Sequence, residues 1–211
     1  MKKTLVLLLA IFLAISMIAQ NKKADEIINK VSSKAKSFES FKIDFTFEMV
    51  NPDSDDTEVN KGKLFVKGEK YQLDIAGQLV ICDGETIWTY LRDAAEVQIN
   101  IVEEEEGTIT PSNIFTFYTE NYKSKLENEE KVDGKTIQQI ELKPIEDKNY
   151  AKVDLFVDAQ ENMLTRVMIF DKNGGSITYT IDEFQSNLPA PDSEFTFNEE
   201  DYPDVEIIDM R

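Results

Sequence analysis

Residues 41–49 read Phe-Lys-Ile-Asp-Phe-Thr-Phe-Glu-Met. Phe41, Ile43, Phe45, Phe47 and Met49 fall on one side of a period of two, and Lys42, Asp44, Thr46 and Glu48 fall on the other. Successive side chains of a strand point to opposite faces, so this is a half-buried β-strand with one greasy face. Upstream the period changes. Ile27, Val31, Ala35 and Phe38 recur at helical spacing between Lys, Asp and Ser, which predicts one amphipathic helix over Asn21 to Ser40.

Downstream, short strands follow one another. Asn51 to Asn60 reads as a polar, acidic loop. Lys63 to Lys67 is a strand that turns at Gly68-Glu69, and Tyr71, Leu73 and Ile75 share the face of the next one. Leu79 to Cys82 and Ile87 to Leu91 form a hairpin around Asp83-Gly84, a strong turn signal. Val97, Ile99 and Ile101 continue the alternation. Thr110-Pro111-Ser112 then predicts a second helix bearing Ile114, Phe115, Phe117, Tyr118 and Tyr122. Asp133-Gly134 and Asn173-Gly174-Gly175 mark two more hairpins, around a strand carrying Val153, Leu155 and Val157. Two last short strands are expected at Phe195 to Phe197 and Val205 to Ile208. No βαβ period and no internal repeat is visible, which excludes a parallel nucleotide-binding sheet. The expected fold is mainly β with α: a strongly bent antiparallel sheet of about 10–11 strands with helices packed on one face.

Composition narrows the function. Lys2 and Lys3, the apolar run Thr4 to Ile18 and Ala19 read as a secretory signal peptide, leaving residues 20–211 as a single domain. The single cysteine, Cys82, lies far from the cleavage site, so the chain is not expected to be a lipoprotein itself, and Cys82 reads as a small buried hydrophobe. The formal charge is −18, and taking Lys2 and Lys3 off with the leader leaves −20. Such a surface repels nucleic acid and anionic headgroups. The absence of histidine removes Ser-His-Asp and Cys-His nucleophiles and His-ligated metals. No enzyme, cofactor or metal is expected.

Three motifs are discounted. Gly134-Lys135-Thr136 resembles the end of a phosphate loop, but Glu129 stands where its first glycine belongs. Asp53, Asp55 and Glu58 lack the glycine and terminal glutamate of a calcium loop. Glu103 to Glu106 reads as a solvated run. The aromatic load, 10% of the chain with 13 Phe, is the positive signal, because it suggests more greasy surface than the covering helices can fill.

Leu79 to Tyr90, LVICDGETIWTY, resembles the signature hairpin of the LolA-type periplasmic lipoprotein carrier family. Ser37-Phe38 to Phe47, Gly62-Lys63-Leu64-Phe65-Val66-Lys67, and Phe195-Thr196-Phe197 followed by Val205 to Asp209 are similar to further family patterns in the same order. The resemblance covers essentially the whole chain after the leader. It implies an incomplete β-barrel closed by a helical lid. It also implies a periplasmic carrier that ferries lipoprotein acyl chains from the inner to the outer membrane. The implied partners are acylated lipoproteins, an inner-membrane lipoprotein-releasing transporter and an outer-membrane acceptor. A monomer is expected, and no nucleic acid. The family's usual Arg-Pro, whose arginine helps latch the lid, is replaced by Gly68-Glu69, with Lys67 and Lys70 as possible substitutes. The alternative reading on the same fold is an envelope sensor of lipids or lipoproteins that regulates a membrane partner. The side chains expected to bind acyl chains are Phe45, Phe47, Met49, Leu73, Ile75, Trp88, Tyr90, Phe115 and Phe117.

Overall fold

The structure is a computed structural model and describes residues 20–52, 57–103 and 109–211. The expected leader, the acidic residues Asp53 and Asp55 and most of the Glu103 to Glu106 run lie outside the described residues.

Among the described residues one α-helix, α1, runs over residues 20–35. Twelve strands follow: β1 (Phe41–Val50), β2 (Thr57–Lys67), β3 (Lys70–Ile75), β4 (Gln78–Cys82), β5 (Thr86–Leu91), β6 (Glu96–Ile101), β7 (Tyr122–Val132), β8 (Lys135–Pro144), β9 (Tyr150–Asp158), β10 (Met163–Asp171), β11 (Ser176–Ser186) and β12 (Glu206–Asp209). They form one sheet in the order β12-β6-β5-β4-β3-β2-β1-β11-β10-β9-β8-β7, so its two edges do not meet. The bent antiparallel sheet expected from the sequence is present, with twelve strands instead of ten or eleven. Every neighbouring pair is antiparallel except β12, which lies parallel to β6.

Three local expectations change. The segment after Pro111 is not an α-helix: it is a run of turns ending in a 3₁₀ turn at Phe117–Thr119. Ile114, Phe115, Thr116, Phe117 and Tyr118 are β-branched or aromatic residues, which lose rotamer freedom in a helix. Asn113 and Thr110 bond each other's backbone instead, with Thr110 N donating to Asn113 Oδ1 at 2.8 Å. The acidic loop is shorter than Asn51 to Asn60, because β1 and β2 stay paired as far as Val50 and Thr57. Phe195 to Phe197 is not a strand, since a 3₁₀ turn spans Asp192–Phe195.

The core explains the bend. Twelve strands at about 4.8 Å would spread roughly 50 Å if flat, against about 24 Å for a sixteen-residue helix. Yet Ile27, Ile28 and Val31 of α1, Phe41 and Ile43 of β1, Leu64 and Val66 of β2, and Ile140, Val153 and Leu155 of β8 and β9 belong to one buried cluster. The sheet curls around its helix-bearing face to bring them together. Polar ties hold α1 over the β7–β10 half: Asp25 accepts from Ser124 on β7, Lys23 pairs with Glu129 at 3.0 Å, and Lys34 Nζ donates to Glu161 O at 2.5 Å.

Gly62 is a packing device. It faces Phe45 across one strand pair and Ile75 across the other, and a Cβ built there would lie 2.3 Å from Phe45 Cζ. The Phe45 ring lies on the Gly62 backbone, an aromatic side chain covering a glycine across a strand pair. Valine ordinarily favours a strand. Here Gly62→Val is expected to destabilise the protein by about 2 kcal/mol by overpacking. Urea unfolding checks this, and Phe45→Ala in the same chain should recover part of the loss. An unchanged midpoint for the single variant would show that the ring has another place to go.

The outer face is covered in two ways. Across β9 and β10, Arg166 sits 3.8 Å over the Phe156 ring and Lys152 sits 4.4 Å over Phe170, so long cations roof the aromatics. Lys152 also holds Asp154 at 3.0 Å and Glu141 at 3.3 Å. Over β2 to β6 the cover is a strap formed by residues 187–211. Phe195 is fully buried with its ring 5.1 Å from Phe65. Phe197 joins Ile81, Val97 and Ile99 in a second buried cluster and stacks on Tyr202 at 4.9 Å. Lys67 and Lys70 reach Asp192 at 3.0 and 3.1 Å, and they hold its carboxyl below the usual range.

Candidate functional site: the uncovered end of the helix-bearing face

Two covers lie on the helix-bearing face. Besides α1, residues 109–121 pass over it from the end of β6 to the start of β7, with Phe115 at the end where β1 begins. Phe115 is buried there, with its ring 5.2 Å from Phe41 and 5.9 Å from Phe184. Phe38, just beyond α1, meets Phe184 at 5.4 Å. At this end Phe41, Val66, Tyr71 and Cys82 are all buried.

Toward the other end the same face opens. Along β1 the inward residues change from buried (Phe41, Ile43, Phe45) to half-buried Phe47 and then to Met49, which is 38% exposed. Next to them in register stand Ile181, Tyr179 and Ile177 of β11. Leu73 and Ile75 of β3 follow the same trend after buried Tyr71. Phe47, Leu73, Ile75, Tyr179 and Ile181 pack on the main core yet keep part of their surface exposed. Tyr179 ties the floor together, with its ring 5.4 Å from Phe47 and 6.0 Å from Phe45. Burial pushes its phenol up, as expected in apolar surroundings.

The expected lining residues divide between the two faces. Phe45, Phe47, Met49, Leu73 and Ile75 share this floor, with Phe45 its buried wall. Phe115 and Phe117 lie in the cover, Phe115 buried and Phe117 half-exposed against Tyr122 at 6.0 Å. Trp88 and Tyr90 lie apart from the others. They stand beside Ile81, Leu79, Ile99 and Val97 on the opposite face, and they pack with Phe197, Tyr202 and Val205 of the strap. In that hairpin it is Ile87 that points with Cys82 and Tyr71 toward the main core. Alternation shows that Trp88 and Tyr90 share a face, not which face the sheet turns inward. Tyr179 and Ile181 were missed because β11 meets β1 only through a pairing remote in sequence.

The rest of the chemistry is quiet. Cys82 is a free, buried thiol pushed up by burial, and Tyr71 beside it is pushed up to about 12. Such a thiol is a poor nucleophile. Neither Lys67 nor Lys70 serves the cover, since both bind the outer strap. Glu69 does touch the cover: its Oε2 accepts from Ser112 Oγ at 3.4 Å. Among the described residues no helix is long and apolar enough to cross a membrane.

The family described as outer membrane lipoprotein carrier protein LolA matches residues 36–198, the greater part of the chain. The chain belongs to the LolA family. An uncharacterized conserved protein from Thermus thermophilus superposes on this LolA-family chain with a TM-score of 0.59 at 12% identity, covering 89% of this chain and 99% of that one. A LolA superfamily protein from Nitrosomonas europaea gives 0.46 at 16% identity, over 82% and 97% of the two chains. LprF from Mycobacterium bovis gives 0.47 at 14%, over 81% and 96%. At these identities the first likeness is one of fold. No curated protein matches the sequence.

Proposed function

We propose that this LolA-family protein is a carrier that shields the acyl chains of lipoproteins on the uncovered, helix-bearing face of its sheet. One observation carries the reading. Phe47, Leu73, Ile75, Tyr179 and Ile181 form a continuous apolar floor that stays partly exposed between two covers. Exposed apolar surface rimmed by structure marks a binding site. A chain of about sixteen carbons costs roughly 10 kcal/mol to leave in water, and non-directional contact with such a floor offsets much of that without trapping the cargo.

In this reading the cargo's route is the one that the family name and the expected leader suggest: export to the periplasm, loading from an inner-membrane lipoprotein-releasing transporter, and delivery to an outer-membrane acceptor. Without the expected leader the body carries formal charge −20, so it is repelled by anionic headgroups and attracted to a basic patch on either partner. The protein purified from its native envelope without detergent is expected to bring acylated peptide or lipid with it in mass spectrometry, and the emptied protein to brighten a hydrophobic dye that an acylated peptide displaces. Absence of both lipid and dye binding would end the carrier reading.

A further inference from the structure

Tyr118 is 2% exposed, within the cover and part of the main apolar cluster, with the Phe117 ring 5.0 Å away. Its hydroxyl is sealed from solvent and has no hydrogen-bond partner among the described residues. Leaving a buried hydroxyl unpaired is costly, and buried polar groups nearly always find a partner. Elsewhere in this core the half-buried Tyr122 and Tyr150 bond each other. Burial alone pushes the Tyr118 phenol up, with no charged or hydrogen-bonding neighbour contributing. A lone water would lack the two to four polar partners it needs in such surroundings.

We infer that the Tyr118 hydroxyl donates a hydrogen bond to an acyl carbonyl oxygen of the bound lipid, an inference that rests on the carrier reading above. The missing partner must accept a hydrogen bond, must be neutral because an unpaired charge is not tolerated there, and must arrive with hydrocarbon. The ester or amide carbonyl at the root of an acyl chain satisfies all three. Access requires residues 109–121 to shift, and that segment is a run of turns tied to β3's approach by the long, 3.4 Å contact between Ser112 and Glu69. The bond would set how deep the chain sits: hydrocarbon along the floor, carbonyl under the cover.

The test compares two dipalmitoylated lipopeptides, one with ester-linked and one with ether-linked chains, on wild type and Tyr118→Phe. Wild type is expected to bind the ester form about threefold to tenfold more tightly. Tyr118→Phe should bind both equally, and without ligand it should be at least as stable as wild type. A variant that keeps the ester preference, a wild type that binds both forms equally, or a destabilised ligand-free variant would each overturn the hydroxyl's role while leaving the carrier reading intact. Wild type binding neither form would overturn both.

Discussion

Phe47→Glu is expected to weaken binding of a palmitoylated peptide by about a hundredfold or more while the protein stays folded. The position is half-buried, on the floor beside Tyr179, where the face begins to open. Replacing the ring removes apolar contact worth about 2 kcal/mol, and a carboxylate beside hydrocarbon adds its desolvation cost. Together these reach two decades in affinity. Because the glutamate keeps a path to water when no ligand is bound, the folded state should lose only about 1–2 kcal/mol. Phe47→Leu is the control and should stay within a few-fold of wild type. Titration of a fluorescent acyl peptide alongside urea unfolding reads both quantities. Full affinity in the glutamate variant would remove Phe47 from the site.

Phe195→Ala is expected to cost about 4 kcal/mol of stability with little effect on acyl binding until the protein unfolds. Phe195 is fully buried against Phe65, on the face away from the floor. Its removal leaves a cavity beneath the Asp192 end of the strap, where the ion pairs from Lys67 and Lys70 are exposed and contribute little. Loosening the strap also frees β12 from the edge of β6, so the unfolding transition should broaden as well as shift. A drop below about 1 kcal/mol in a thermal or urea melt would mean that the strap is held elsewhere.

The fold was legible where the pattern is local. Phe41 to Met49, Tyr71 to Ile75 and the Asp83-Gly84 turn read correctly because alternation and turn chemistry act over a few residues. At that turn Asp83 Oδ1 accepts from Glu85 and Thr86 N at 2.9 and 2.8 Å, and Gly84 takes φ +98°. The segment after Pro111 misled because proline and an apolar cluster suggest a helix, whereas its β-branched and aromatic residues favour turns once Asn113 and Thr110 close on each other. The candidate site was legible only in the strands whose facing is known. Phe45, Phe47, Leu73 and Ile75 follow from knowing which way β1 and β3 face. Trp88 and Tyr90 share a pattern of equal quality on the strap-covered face, because a strand's period shows two faces without saying which the sheet encloses. The strap itself, from Phe195 to Val205, has no period, so the surface it covers was invisible.

Trp88 is the chain's single tryptophan and stands on the outer face, so it reports which side the lipid takes. The decisive measurement is contact quenching of tryptophan fluorescence by a brominated palmitoyl peptide, in wild type and in Phe47→Trp made on a Trp88→Phe background. The expected result is saturable quenching of the tryptophan placed at position 47 and none of Trp88. Quenching of Trp88 with none at position 47 would put the lipid under the strap and contradict binding on the helix-bearing face.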